Sequence, residues 1–291
     1  MSGLVNSSRP VVADGSALHY ALLFADPRAR RILTALLELV SELSRAARTP
    51  QEPEIARSRI TWWNEELVRL TNAAPRHPLT VTLAGLCDWS RADFDLLEQM
   101  VTGADNEIGR VQIETDEELA LHSFRSDGCA LALAIRKTLG AGSTTALERP
   151  GIWLGRGIRL TEIVRRFNLD LVDGRVLIPE TLFLETGADI PADPSAPVDQ
   201  SVRPALLAVV DRSDSHLAKA RTGWLERPFR QMTPYWIALG LYEALNRQLR
   251  RRLQTLPPEQ VALSQAGTLW RAWRCARDAS RLIENNDGIL A

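Results

Sequence analysis

Apolar side chains recur with a helical period along almost the whole chain. Between residues 28 and 48 they repeat every three or four positions, on one face of a helix, at Ile32, Leu36, Leu39, Val40 and Leu43. Asp26 and Pro27 precede this run, as is typical of a helix start. Strand-like alternation is best developed at residues 110–114 and is short even there. The pattern therefore predicts an all-α fold.

The same period, interrupted by glycine and proline, predicts the remaining helices. We expect them over residues 54–72, 79–87, 91–101, 116–139, 153–170, 204–222, 233–253 and 261–283, with a short extended piece at 176–179. We expect residues 1–15 to be flexible and the proline-rich residues 187–204 to form a surface loop. Because this break is short, the sequence predicts a single domain over residues 1–291, built as a layered helical bundle.

Charge and cysteine content exclude several classes of protein. The 291 residues include 35 basic and 36 acidic side chains, so no field of one sign would attract nucleic acid, and we expect no nucleic-acid partner. Cys87, Cys129 and Cys275 form no Cys-x-x-Cys pair, which favours buried thiols in a reducing compartment over a metal site. With no secretory signal and no run of 18 apolar residues, we expect a soluble cytoplasmic protein.

The sequence contains no complete copy of a common catalytic motif. Gly155-Arg156-Gly157 lies in a helical run without a preceding strand, so it does not predict a dinucleotide-binding loop. The histidines are scattered and lack the spacing of a zinc enzyme: His19, His77, His122 and His216. The acidic run at residues 114–118 is best explained by capping of a helix N-terminus. The residues alone therefore predict no catalytic group and no metal site.

Several segments together resemble the squalene/phytoene synthase family, the head-to-head prenyltransferases. Residues 20–36 resemble its opening helix, and Trp62-Trp63 within residues 59–67 resembles its Trp-Trp-x-Glu-x-Leu signature. His77-Pro78 follows at the usual distance, and residues 154–165 with 174–179 resemble the second signature and its tail. The matches keep the family's order and spacing. The resemblance implies the isoprenoid-synthase type of helical bundle.

The resemblance also shows what this chain lacks. Active members of the family carry two aspartate-rich motifs whose carboxylates hold Mg²⁺ ions that help an allylic diphosphate to leave. The first motif falls at residues 44–48, where Ser44, Arg45 and Arg48 stand. In the second, Arg166 replaces one aspartate and Asp170 alone remains. Guanidinium groups repel a cation, so the resemblance implies that metal-dependent chemistry is lost. We expect no cofactor, and Mg²⁺ only if the chain is active.

If the fold keeps the family's geometry, two helix faces meet across one cavity. The candidate pocket residues are Arg45, Arg48, His122, Arg159, Glu162, Arg166 and Asp170. In one interpretation they bind an anion without metal, such as a prenyl diphosphate or a lipid head group. In the other, Glu42–Arg45 and Glu162–Arg166–Asp170 are intrahelical salt bridges in a collapsed former site, each contributing about 0.3–0.5 kcal/mol.

A divergent branch of the family fits the missing aspartates better than the active enzymes do. That branch includes a mitochondrial assembly factor for respiratory complex I, and it keeps the Trp-rich helix. The resemblance thus implies a non-catalytic assembly or scaffold protein, with a membrane complex or its subunits as partner, or a prenyl-lipid-binding protein. The alternative is an active head-to-head prenyltransferase that uses farnesyl or geranylgeranyl diphosphate.

Two further features each allow a structural and a functional interpretation. Trp62 and Trp63 are interpreted as core anchors rather than catalytic groups, since adjacent helical residues point about 100° apart. The basic run at residues 247–253 complements the dipole at a helix C-terminus. Its alternative role is peripheral contact with anionic lipid of the inner membrane.

Overall fold

The computed structural model of the protein describes residue 12 and residues 15–48, 52–109, 112–189, 200–253, 255 and 258–287. These residues form thirteen α-helices: α1 (Ala17–Leu22), α2 (Pro27–Arg48), α3 (Pro53–Thr71), α4 (Pro78–Leu86), α5 (Arg91–Asp105), α6 (Asp116–Ser123), α7 (Cys129–Leu139), α8 (Thr145–Arg165), α9 (Phe167–Val172), α10 (Glu180–Thr186), α11 (Arg203–Glu226), α12 (Thr233–Arg252) and α13 (Gln265–Asp287).

The predicted all-α class is confirmed. Within the described ranges, extended pairing is limited to one parallel bridge between Gln112 and Val176. Most of the segment predicted to be flexible and residues 190–199 of the predicted surface loop lie outside the described residues, and the single domain stays a prediction. No helix in the described part of the chain has both the length and the apolar character needed to cross a bilayer.

Two predicted helices differ from the observed ones. The helix predicted over residues 116–139 is divided by a π-helical turn, Phe124–Gly128, in which Ser126 leaves helical geometry (φ −97°, ψ −111°). The helix predicted to begin at residue 153 starts at Thr145 and contains Pro150. Because proline has no backbone N–H, one intrahelical hydrogen bond is missing at this position. It also ends at Arg165, and Arg166 separates it from α9 (φ −96°, ψ 4°).

Helix α8 lies at the centre of the fold and packs closely on α7, α11 and the π turn. A Cβ atom added at Gly155 would lie 2.2 Å from the carbonyl oxygen of Asp127 in that turn. One added at Gly157 would lie 2.6 Å from the Leu217 side chain on α11. The Gly-x-Gly pair is thus a packing feature that lets backbone approach backbone.

A buried polar network fixes the register of three helices. Asn246 on α12 donates from Nδ2 to Ser213 Oγ on α11 at 2.9 Å, and its Oδ1 accepts from Thr161 Oγ1 on α8 at 2.8 Å. All three side chains are completely buried. Because every partner is satisfied, the network specifies how α8, α11 and α12 align without leaving a polar group unpaired.

The apolar core has two parts, both of which include residues of α8, α11 and α12. The larger cluster includes the buried faces of α2, α5, α7 and α12. The smaller cluster joins the end of α8, α9, α10 and the start of α11. Cys87 and Cys129 are buried free thiols, as predicted, and burial raises the pKa of Cys129 to about 12, whereas Cys275 is half-buried.

The close approach at Gly155 can be tested with a pair of Gly→Ala variants. Gly155→Ala should lower the free energy of unfolding by about 2 kcal/mol, because the new methyl group meets backbone that cannot move aside easily. Gly85→Ala on α4 is the control, since nothing lies within 4 Å of its added Cβ, and it should raise the free energy of unfolding by up to about 0.5–1 kcal/mol, because alanine favours the helix over glycine. Equal effects in denaturant unfolding would contradict this account of α8.

Candidate functional site

The candidate site is built around the buried carboxylate of Glu107, which lies in the turn after α5. Arg48 Nε donates to Glu107 Oε2 at 2.6 Å, and Ser44 Oγ donates to the same oxygen at 2.9 Å. Ser44 and Arg48 are one turn apart on α2, so both face the carboxylate. Arg175 Nη2 approaches it from the segment before α10, at 3.5 Å. A buried charge needs such partners, and here they come from two separate elements.

The surrounding cations keep Glu107 ionised. Burial on its own would raise the pKa of this carboxyl, but the guanidinium groups of Arg48 and Arg175, with the hydrogen bond from Arg48, hold the pKa well below its ordinary value. Glu107 therefore stays charged at any physiological pH.

His122 on α6 continues the cluster as a neutral imidazole. Arg159 on α8 lies with Nε 3.1 Å and Nη2 2.9 Å from His122 Nε2. A guanidinium can only donate, so Nε2 must accept, which leaves the ring proton on Nδ1, 3.6 Å from Glu107 Oε1. Burial and the neighbouring Arg159 lower the pKa of His122 to about 3. The contact between His122 and Glu107 is therefore no ion pair at neutral pH.

Asp170, on α9, lies at one side of this cluster. Its side chain is 3% exposed, and burial raises its pKa against the opposing charges of Arg48 and Arg166. Arg166 Nε is 3.9 Å from Asp170 Oδ1, too far for a hydrogen bond. Asp170 Oδ1 and Arg48 Nη2 have no hydrogen-bond partner among the described residues. Arg48 is thus influenced by three carboxylates, Glu107, Asp170 and Asp173.

The space left at the centre is very small. A cavity of about 20 Å³ lies between α2, α5, α6 and α8, with Ser44, Glu107, His122 and Arg159 among its polar walls. A water molecule needs about 10–15 Å³ by this kind of measure, so the cavity has room for about one. A diphosphate does not fit in this arrangement of side chains.

Magnesium does not match the residues present. Mg²⁺ prefers octahedral oxygen ligands, usually with one or two carboxylates that face open space. Here Glu107 is already bonded to Arg48 and Ser44, and further guanidinium groups surround it. Across the described ranges, no three His, Cys, Asp or Glu side chains gather as a metal-binding group. The other acidic side chains near the first motif, Glu38 and Glu42, do not complete one.

Comparison with protein families gives a clear match. The squalene/phytoene synthase family model matches residues 11–267. The chain belongs to the squalene/phytoene synthase family.

Individual relatives within this family differ in their named roles. The chain is 22% identical over 238 residues to a NADH dehydrogenase (ubiquinone) complex I, assembly factor 6 homolog from Dictyostelium discoideum, a match that covers 79% of this chain. It is 25% identical over 203 residues to a phytoene synthase from Arthrospira platensis, a match that covers 65% of this chain. The chain spans 65% of the length of each of these relatives.

Solved structures of squalene/phytoene synthase-type proteins share the fold. A dehydrosqualene synthase in complex with ligand superposes with a TM-score of 0.72 at 13% identity, over 92% of each chain. Squalene synthase HpnC from Alicyclobacillus acidocaldarius superposes with a TM-score of 0.66 at 15% identity, over 80% of this chain and 87% of that one. The predicted isoprenoid-synthase type of helical bundle is confirmed.

The structure separates two of the seven predicted pocket residues of this family member from the rest. Arg45 points to the other side of α2, is 44% exposed in its side chain and pairs with Glu42. Glu162 accepts from Arg165 Nη1 at 2.9 Å and from the Tyr242 hydroxyl at 3.1 Å. Thus the predicted Glu42–Arg45 pair forms, whereas Glu162 pairs with Arg165 instead of Arg166. The reason is that α8 ends at Arg165, which moves Arg166 off the helical face.

Sequence reasoning missed Glu107 and assigned Arg175 only to a turn and to the Gly-Arg tail of the second signature. Glu107 follows Asp105 and Asn106, in a polar stretch typical of an exposed turn, so no local signal marks it as buried. Sequence analysis also identified no partner for Arg250, which lies in the basic run at the end of α12. It pairs with Asp211 at 2.5 Å and Asp214 at 2.6 Å on α11.

The neutral state of His122 predicts a pH dependence of stability. Its pKa is lower in the folded protein than in the unfolded chain, so the unfolded chain binds the extra proton and stability falls as the pH decreases from about 6.5 toward 3. Between pH 7 and pH 5 this group should cost about 2 kcal/mol, by linkage to an unfolded pKa of about 6.5. His122→Gln should therefore lose less stability over that interval in denaturant unfolding.

The control for this prediction is Arg247→Ala, which changes an exposed residue on α12 and leaves every histidine in place. This variant should show the same pH dependence of stability as the unaltered protein. His122→Gln with the same loss from pH 7 to pH 5 as the unaltered protein would show that His122 is not held neutral by Arg159.

Proposed function

We propose that this squalene/phytoene synthase family member is a pseudoenzyme, an assembly or scaffold protein for a membrane complex that does not catalyse prenyl transfer. The observation that carries the proposal is the ion-paired cluster around Glu107. It occupies the place where the family resemblance puts the first metal-binding motif, and its residues neutralise one another instead of leaving carboxylates open to a cation.

Electrostatics oppose the binding of the metal ion that a metal-dependent transferase needs. Arg48 and Arg175 approach the buried carboxylate of Glu107, and Arg159 lies beside His122 in the same cluster, so three guanidinium groups would repel a divalent cation brought to this point. Removing one guanidinium partner to admit the metal would break a buried ion pair, a change that costs about 3–5 kcal/mol in proteins. The arrangement is therefore stable as a closed structural unit.

The size of the cavity opposes binding of the substrate. The centre holds about 20 Å³, and Val40, Leu43 and Met100 supply its apolar wall. A prenyl diphosphate would need these side chains and the Glu107 ion pairs to move together. The same limit counts against storage of a prenyl lipid at this position, so we favour the scaffold role over the lipid-carrier role.

The named relatives support this choice without deciding it. One is an assembly factor 6 homolog for complex I, and another is a phytoene synthase, at comparable identity. The geometry of the Glu107 cluster is what favours the first. On this proposal the partner is a membrane complex or its subunits, and contact with the membrane is peripheral.

The catalytic part of the proposal can be tested by turnover. Protein shown to be folded by circular dichroism is incubated with farnesyl or geranylgeranyl diphosphate, Mg²⁺ and reduced nicotinamide cofactor. We expect neither diphosphate release nor hydrocarbon product above the no-enzyme control, while an active squalene synthase in the same buffer gives both. Product that disappears in the Glu107→Gln variant would overturn the proposal, because it would make this carboxylate a working ligand.

The assembly part has its own test in the source organism. Deletion of the gene should lower the amount of an assembled membrane complex on native gels, with the NADH-oxidising complex examined first, and leave squalene- and phytoene-derived lipids unchanged. A plasmid copy should restore assembly. If deletion instead depletes those lipids and leaves every membrane complex intact, the scaffold role is wrong.

A further inference from the structure

A second cleft lies on the opposite side of α2 from the Glu107 cluster. It has a volume of about 240 Å³ and is lined by Glu42, Arg45, Ala46, Arg59, Trp62, Trp63 and His77. These side chains come from α2, α3 and the N-terminal cap of α4. The cleft contains the Trp-Trp and His-Pro motifs of the sequence, which the Glu107 cluster does not use.

Three aromatic rings form one wall of this cleft. The ring centroids of Trp62 and Trp63 are 5.3 Å apart in an edge-to-face arrangement, and the His77 ring lies 4.7 Å from Trp63 and 5.9 Å from Trp62. Trp63 is buried, but Trp62 is 41% exposed. The expectation that both tryptophans anchor the core thus holds for Trp63 alone. A large aromatic side chain left half in solvent beside a cleft is a common feature of ligand sites.

The polar groups of the cleft are mainly donors. Arg45 and Arg59 supply two guanidinium groups against the one carboxylate of Glu42, which already pairs with Arg45. Arg59 has no ion-pair partner among the residues that the structure describes. His77 Nδ1 accepts from the backbone N–H of Leu79 at 3.2 Å, so the neutral ring carries its proton on Nε2. This balance favours an anion.

A buried glutamate holds the aromatic wall in place. Glu66 is completely buried and accepts from the backbone N–H groups of Arg76 at 2.7 Å and His77 at 2.8 Å. It also accepts from Thr80 Oγ1 and from Arg69 Nε. Burial would raise the pKa of Glu66, but these donors lower it to about 2. Because Glu66 lies one turn after Trp62 on α3, it fixes the His77 segment against the tryptophans before any ligand arrives.

We propose that this cleft binds a small anion, a phosphate monoester or carboxylate, attached to a flat apolar group. Arg45 and Arg59 bind the anion, and the Trp62, Trp63 and His77 rings contact the apolar body. The site shares no residue with the Glu107 cluster. The proposed ligand site can therefore be tested independently of the proposed scaffold function.

The test uses the full chain with phenyl phosphate, benzoate, inorganic phosphate and the cation benzamidine as probes. Calorimetry gives the affinity, and NMR of the tryptophan indole N–H signals gives the location. We expect saturable binding of phenyl phosphate or benzoate that shifts the Trp62 indole signal, weaker binding of inorganic phosphate and none of benzamidine. The phosphate and carboxylate arms identify which anion the cleft prefers.

Variants separate the two halves of the site. Arg45→Ala combined with Arg59→Ala should weaken phenyl phosphate at least about tenfold, since two charge-assisted contacts are lost. Trp62→Ala should weaken phenyl phosphate about fivefold and leave inorganic phosphate unchanged. The matched control is Arg247→Ala combined with Arg281→Ala, two exposed arginines outside the cleft, which should bind like the unaltered protein.

Three outcomes would overturn the proposal. They are no saturable binding of either aromatic anion up to about 10 mM, equal affinity in the Arg45/Arg59 double variant, or preference for benzamidine. Circular dichroism of each variant shows whether it is folded. If the double variant fails to fold, Arg59→Gln alone, at an exposed position of α3, keeps the comparison available.

Discussion

A carboxylate buried in protein must be neutralised where it lies, and the arrangement of the elements around Glu107 follows from that requirement. Glu107 draws Ser44 and Arg48 from α2 and Arg175 from the segment before α10, and Arg159 reaches the same region through His122. The ends of α2 and α5, the middle of α8 and the turn before α10 are thereby held in one arrangement. One buried charge thus links elements that are far apart in the sequence.

The fold of this protein and its charged centre are subject to different constraints. Superposition on a dehydrosqualene synthase and on squalene synthase HpnC shows that the bundle tolerates identities of 13% and 15%. Such tolerance is expected where burial pattern and volume matter more than identity. At the centre, the guanidinium groups of Arg48 and Arg175 set the sign of the local field around Glu107, and a change of charge there would alter it. Burial pattern and local charge are therefore separate constraints on the same helices.

The apolar period located most helices because it reports directly on which side chains are buried. The π turn at Phe124–Gly128 and the break at Arg166 escaped it, since both depend on packing against α8 and α9 rather than on local composition. Spacing inherited from the family resemblance placed Arg48, His122 and Arg159 in one region. It could not reveal Glu107, whose burial results from cations brought together by the tertiary fold, nor that Arg45 faces the opposite side of α2.

The contact between Gly155 and the π turn has a consequence for how the family can change. A side chain at position 155 would collide with the Asp127 carbonyl unless the π turn or α8 moved. The π turn at Phe124–Gly128 and the missing side chain at Gly155 on α8 therefore depend on each other. A sequence that carries a larger residue at position 155 must therefore also change the path of the chain from α6 to α7.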